Sequence, residues 1–589
     1  MVCSYHFCIL AGKLVIMEEL LIKRQISYSC IFPSGTDTLQ EILKIIPSKS
    51  AIAWASYMLT KKKMMSINQT EADFFIPLLF QMNKKLQHII TNYLQSISVN
   101  FSSYVFIDEV SLLILIEYLL ESHNENNTDV FESKDDFSNM IIAYLMCCDE
   151  KLRHTTKSLH GVSNVDSLMA LYLPEQLRYN DIYYPKDYRV EFMRFYYFMT
   201  FCEKNVIFKN YLELFLQEKN IKKWDDYLFF VFETYLTLST HKEGSTNTIK
   251  IEPHFYYGKT FIDFMCIDIE KFKRTPDFTC LRSQPIYYRE DNTYSIIFMG
   301  FFIDKIFQSF LFDFASTLMK NKKTTKINNY PELKTLVGNV FTENYLFYEL
   351  VNGCFSKTCK KLISGQDLKI FLNNGEPDFY IRKGKNIFLF EFKDVMLNAK
   401  TKHCEDIVQI KSEILELFES STIEKSTGKQ KKKAQAKGIS QLLNVIETKL
   451  DVIIKKADKI ETADKFNVYP VIIYQDCCFD IEGVNYILRC RFEELKQTKN
   501  ISDEYLVKQC VMMSLEIMFS LEDYFYDGRL QLNNLIDDYL LECDKSEQNK
   551  LLPFNKFIMR QAWKLGYKHG MSTRFKKVSD FMVEKNKSD

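Results

Sequence analysis

The chain has 589 residues, 47% hydrophobic and 26% charged, too long for one ordinary hydrophobic core and too apolar for an intrinsically disordered protein. Lys plus Arg and Asp plus Glu both number 76, so the net charge is zero, which argues against a protein coated in nucleic acid but leaves room for a local basic groove. Gly at 17 and Pro at 12 are scarce beside 48 Phe and 34 Tyr, favouring long helices with aromatic cores over turn-rich sandwiches.

The N-terminus, Met1 to Ile16, is apolar but interrupted by Lys13 and followed by no small-residue cleavage site, a weak secretory signal. Met17, opening Met-Glu-Glu-Leu-Leu, serves equally well as a start. From about residue 17 to 250 the pattern is helical. Val110 to Leu120 and Trp224 to Phe232 carry apolar residues on more than one face, as helices buried in a bundle do. Polar breaks fall at Glu121 to Thr128 and at Ser239 to Thr248, and the second marks a domain boundary. Gln284 to Tyr288 and Thr293 to Phe298, flanking Arg289-Glu290-Asp291-Asn292, read as a β-hairpin. A long aromatic helix, Phe302 to Met319, should follow, closed by Lys320-Asn321-Lys322-Lys323. Apolar runs such as Leu112 to Ile116 and Ile296 to Ile303 meet charges too soon to span a bilayer.

The next helix opens near Pro331 and carries Glu343. Two short strands come after it, within Gly375 to Asp394, joined at Lys383-Gly384-Lys385. A helix over Asp406 to Phe418, a lysine-rich break (Lys425, Lys429, Lys431, Lys432, Lys433, Lys437) and a helix over Ile439 to Ile446 lead to a last strand, Val468 to Tyr474, expected to start past Pro470. From Asp503 onward the pattern is mostly helical and ends in the basic Arg574-Phe575-Lys576-Lys577. The sixteen cysteines include no C-x-x-C pair and the nine histidines no H-x-H or H-E-x-x-H grouping. Neither a zinc ribbon nor a disulfide framework is indicated, and reduced cysteines imply a cytoplasmic location.

The strand Asn386 to Lys393 is apolar and aromatic except near its end, where Glu391 and Lys393 share one face and Phe390 and Phe392 the other. With a two-residue loop at Gly384-Lys385, position 383 pairs with 386, and continuing that register sets Asp378 opposite Glu391 with Lys393 further along the same face. A three-residue loop would put the two carboxylates on opposite faces. Paired carboxylates that hold a divalent cation beside a lysine can neutralise a phosphodiester and activate water. The bland reading is a surface salt bridge on a half-exposed hairpin. The E-x-K tripeptide carries no weight alone, since Glu132, Glu332, Glu447 and Glu494 open others.

Pro377-Asp378 and Glu391-Phe392-Lys393 resemble the PD-(D/E)XK nuclease superfamily, as does the run of a helix, three strands, a helix and a strand. The resemblance implies that Asp378 and Glu391 bind Mg²⁺, for which Mn²⁺ substitutes, that Lys393 helps activate water or stabilises developing charge, and that Glu343 on the preceding helix and Gln441 on the following one join them. Read as residues alone, Glu343 fits an exposed helix face as well as a ligand, and Gln441 an ordinary helix position. Met396 to Ala436 separates the Glu391 strand from the Gln441 helix more widely than in the compact pattern.

The expected architecture is α/β: a mainly α-helical N-terminal domain (1–245), a connecting region with hairpin and helix (246–330), a nuclease domain with a mixed sheet flanked by helices (331–495) and a helical C-terminal region (496–589). The resemblance implies a Mg²⁺-dependent endonuclease acting on DNA more readily than RNA, in restriction or defence by analogy. The N-terminal helices are expected to bind substrate, gate the site or carry a protein partner, and no membrane association is expected. Two other readings stay open: a non-catalytic interaction scaffold with a nuclease-like nucleic-acid-binding domain, and a ribonuclease of the same fold.

Overall fold

A computed structural model describes residues 24–64, 71–97, 104–123, 131–153, 164–184, 186–240, 247–250, 262–372, 374–421, 435–461, 465–567 and 572–588. The apolar N-terminus with Met17, most of both polar breaks and the lysines from Lys425 to Lys433 lie outside them. The protein is mixed α/β, with helices predominating. No helix among the described residues is long and apolar enough to cross a membrane. The chain forms two compact units, one of residues 1–156, 185–330 and 582–589, the other of 157–184 and 331–581.

The first unit is helical around an aromatic core. Helix Glu109–Glu121 is capped by Asp108, whose carboxylate accepts from the Ser111 N–H at 2.8 Å, and nearly all its side chains are buried. In helix Tyr188–Lys204, Phe195 and Phe198 meet Phe310 edge-on at 5.0 and 6.5 Å, and Phe195 stacks on Tyr227 at 5.5 Å. The expected hairpin is present as Ile286–Glu290 and Thr293–Ile296, extended by Thr248–Lys250. Asp291 and Asn292 turn it with positive φ, as a two-residue loop matching the strand twist requires. The single helix expected over Phe302 to Met319 is instead two, Met299–Asp304 and Phe310–Lys320. The break falls at Lys305, whose carbonyl accepts from the Tyr227 hydroxyl at 2.7 Å and whose buried ammonium bonds Asp313 at 2.6 Å.

The second unit is built on one sheet. Its elements, in chain order, include α1 (Val165–Tyr183), α2 (Tyr330–Val337), a π-helical stretch (Gly338–Phe347), α3 (Tyr348–Phe355), β1 (Lys361–Ser364), β2 (Phe379–Lys383), β3 (Asn386–Lys393), α4 (Ile407–Phe418), α5 (Gly438–Thr448), β4 (Phe466–Tyr474), α6 (Val484–Lys496), β5 (Tyr505–Val507) and β6 (Val511–Ser514), and further helices, Leu515–Tyr526, Leu532–Cys543 and Phe554–Lys564 among them, follow. β1, β2 and β3 are antiparallel neighbours, β4 runs parallel to β3, and β5 and β6 follow each other along the far edge of β4, parallel to it. Ile387 and Leu389 face a core shared with Ile410 and Ile414 of α4 and Leu442 and Ile446 of α5. On the opposite face Phe347 stacks on Phe392 at 5.2 Å and Phe355 meets Phe390 at 5.9 Å. Helices thus cover both faces of the sheet.

Residues after Asp503 are mostly helical, but they first form β5 and β6, with Val511-Met512-Met513 buried beside β4. One sequence expectation needs correction here. β4 starts at Phe466 and runs through Pro470 rather than after it. The Lys508 N–H bonds the Val468 carbonyl, and side-to-side alternation points Pro470, two residues on, to the same edge. There it faces the gap between β5 and β6, where no ladder bond is asked of it.

Candidate functional site

The hairpin β2–β3 sets the site. Lys383 pairs with Asn386 and Phe379 with Phe390, so the loop is the two residues Gly384-Lys385. Only Gly384 has positive φ, the pattern of a type II′ turn. One step beyond the last pair, Asp378 reaches across, and its Oδ2 accepts from the Phe392 N–H at 2.7 Å. Its own carbonyl accepts from the Gly365 N–H at 2.8 Å. A Cβ on Gly365 would lie 2.9 Å from the Pro377 oxygen, so glycine is what lets β1 close on this segment.

Glu391 is 1% exposed. Its Oε1 accepts from Lys393 Nζ at 2.6 Å, and its buried Oε2 has no hydrogen-bond partner. Burial pushes the Glu391 carboxyl well above its ordinary range, with Asp378 adding to the shift and Lys393 opposing it. Asp378 is likewise raised by burial against the pull of Lys393 and the Phe392 amide. Burial disfavours the Lys393 ammonium, but Glu391 and Asp378 outweigh it and hold the amine above its ordinary value.

Glu343 sits in the π-helical stretch, half-buried, its carboxyl pushed up to about 7 by burial and by Asp378. The stretch is fixed against the end of β3, where Asp394 bonds Lys334 at 2.6 Å and a Cβ on Gly338 would meet the Asp394 carboxylate at 3.1 Å. Gln441, on α5, donates from Nε2 to the Glu376 carbonyl at 2.9 Å. It therefore holds the backbone just before Asp378.

The structure thus brings Asp378, Glu391 and Lys393 together, couples Glu343 to them electrostatically, and ties Gln441 to the main chain. Sequence reasoning missed Glu376 and Tyr348, whose electrostatic influence reaches or comes from Asp378. Glu376 was visible as a third carboxylate beside Pro377-Asp378. Tyr348, five residues from Glu343, had no signal under regular helical spacing.

Among the described residues no group of three His, Cys, Asp or Glu side chains stands arranged to hold a metal ion. The donor chemistry nevertheless fits a hard divalent cation. Asp378, Glu391 and Glu343 offer only oxygen, and Glu391 keeps a buried oxygen unsatisfied. No protein-family model, curated protein or solved structure matches the chain.

Proposed function

We propose that this protein is a Mg²⁺-dependent nuclease that hydrolyses phosphodiester bonds in DNA at the end of the β2–β3 hairpin. The observation that carries the reading is Glu391: a carboxylate 1% exposed, bonded by Lys393 at one oxygen, unsatisfied at the other and coupled to Asp378. A lone salt bridge on an exposed hairpin needs none of that burial. The run α2–α3, β1, β2, β3, α5, β4, with β4 parallel to β3, supports reading the second unit as a PD-(D/E)XK core.

Asp378, Glu391 and Glu343 would hold the cation. When bound, it supplies positive charge to the phosphate and lowers the pKa of a water. Lys393 acts as a fixed cation rather than a base, because its carboxylate neighbours keep the proton on Nζ. Its charge stabilises the negative charge that develops on the phosphoryl oxygens. Gln441 keeps Asp378 in place through the Glu376 carbonyl. The first unit would bind substrate, gate the site or carry a protein partner.

The test is cleavage of matched DNA and RNA duplexes in Mg²⁺ or Mn²⁺ by the wild type and by Asp378→Ala, Glu391→Ala and Lys393→Ala. Each variant should keep its melting transition and lose at least about a hundredfold in rate. Activity surviving in Glu391→Ala defeats the mechanism, and cleavage of RNA alone replaces DNA with RNA as substrate. One observation favours a non-catalytic scaffold: Lys393 already occupies Glu391 Oε1 at 2.6 Å. Calorimetry decides between them, since a scaffold shows no Mg²⁺ binding that Asp378→Ala removes.

A further inference from the structure

On the nuclease reading above, we infer that Lys449 is a substrate-binding residue, its ammonium taking a backbone phosphate of the DNA strand next to the scissile one. Lys449 is the residue on which α5 ends. A lysine at a helix C-terminus can turn back to bond the last carbonyls, yet among the described residues the Lys449 side chain makes no hydrogen bond or ion pair. It extends instead to the segment that leads into Asp378. A Cβ on Gly375 would lie 2.6 Å from Lys449 Nζ, and apart from the chain neighbours of Gly375 nothing else described comes within 4 Å of that point. Gly375 holds a φ of 72° and has no side chain, so the ammonium rests over bare backbone with its donors unused.

Two contacts fix this segment. Gln441, further back on α5, donates to the Glu376 carbonyl at 2.9 Å, so the helix that carries Lys449 is tied to the residue after Gly375. From the other side Lys369 Nζ approaches Glu376 Oε1 at 3.4 Å. Lys369 thereby offsets the charge of Glu376 and leaves Lys449 as a cation with no counter-ion. Gly375 precedes Asp378 by three residues, a span of at most roughly 10 Å. A strand whose scissile phosphate lies at Asp378 and Glu391 therefore passes within reach of a long lysine side chain. The reading needs such a cation, because Lys393 is held by Glu391 at 2.6 Å and the chain has no net positive charge to draw DNA in. An ammonium meets phosphate as a point charge, and a contact of this kind sets the register of the strand without reading its sequence.

Fluorescence anisotropy of a labelled DNA duplex, titrated with the full chain at several salt concentrations without divalent cation, tests this separately from cleavage. Lys449→Ala should weaken binding about tenfold at low salt. It should also lower the slope of log affinity against log salt by about 0.9, the value for one lost phosphate contact, while Lys449→Arg keeps both. In cleavage with Mg²⁺, Lys449→Ala should raise KM by a similar factor and leave kcat unchanged. Wild-type affinity and slope in Lys449→Ala overturn the inference. So does an equal loss in Lys455→Ala, an exposed lysine beyond α5, since any positive charge would then serve. DNA that is bound with the expected dependence on Lys449 but never cleaved overturns the nuclease reading and keeps the phosphate contact. DNA neither bound nor cleaved by the wild type overturns both.

Discussion

In two buried carboxylates, Glu117 in the first unit and Glu391 in the second, burial outweighs the nearby cation: even with the Lys393 ammonium at 2.6 Å, the Glu391 carboxyl is held well above its ordinary range. Glu117 is 3% exposed, and its Oε1 accepts only a long bond, 3.5 Å, from the Thr275 N–H. Burial pushes its carboxyl up to about 7, and Glu121 and Glu150 outnumber the one nearby cation, Arg274. The folded state therefore binds this proton more tightly than the unfolded chain does. Its ionisation costs stability as pH rises from about 4.5 through about 7, and the cost is complete above that. Glu117→Gln should therefore melt higher than wild type at pH 8, by about 1–3 kcal/mol, with the difference vanishing near pH 4.5. Melting curves at the two pH values check this, and a pH-independent difference refutes it. Gly365 gives a second prediction at this scale. A methyl at this position meets the Pro377 oxygen at 2.9 Å, and that oxygen belongs to backbone, which cannot swing aside as a side chain does. Gly365→Ala should destabilise the fold by about 1–3 kcal/mol, read as a lower urea midpoint. It should also disturb Asp378, whose carbonyl bonds Gly365.

The β2–β3 hairpin was legible because two strand-forming runs flank a loop that contains glycine at the position that needs positive φ, and Glu391 and Lys393 fall two residues apart on β3. Counting across that loop was enough to set Asp378 beside Glu391. On the proposed function, the same logic predicts that inserting one glycine between Gly384 and Lys385 removes metal binding and cleavage. The insertion either shifts Glu391 and Lys393 to the wrong face or opens the ladder. Mg²⁺ calorimetry on the insertion variant checks it, and wild-type affinity would show that the register does not set the site. Other elements were illegible for physical reasons. β6 is a short continuous apolar run, Val511-Met512-Met513, whose period distinguishes no strand from a buried helix turn. Pro470 signals a strand boundary from sequence, whereas the gap between β5 and β6 that accommodates it exists only in the assembled sheet. The π-helical stretch left no mark either, since nothing in the residue pattern from Gly338 to Phe347 sets it apart from a regular helix.

At the scale of the whole molecule, chain order and packing diverge. Linear reading assigned everything before the Ser239 to Thr248 break to one domain, yet α1 packs within the sheet-bearing unit. Its Met169, Leu173 and Leu177 belong to the core that also holds Leu389 of β3 and Leu442 of α5. The Arg178 guanidinium adds a bond to the His403 carbonyl at 3.3 Å, and Asn180 Nδ2 donates to the Cys477 carbonyl at 2.6 Å. A helix more than two hundred positions upstream thus closes the hydrophobic layer behind the strand that carries Glu391. Leu173 is fully buried, so Leu173→Ala should destabilise this unit by about 2–5 kcal/mol. If the first unit is the helical assembly its core describes, it should keep its own transition, so calorimetric scans of the full chain should show one transition lowered and the other unmoved. A fragment of residues 331–581 alone should expose the surface that α1 covers and bind a hydrophobic dye, and adding a peptide of residues 157–184 should reverse that binding. If the fragment melts cooperatively at the full-chain temperature without the peptide, α1 is dispensable, and Leu173→Ala should then leave both transitions where they are.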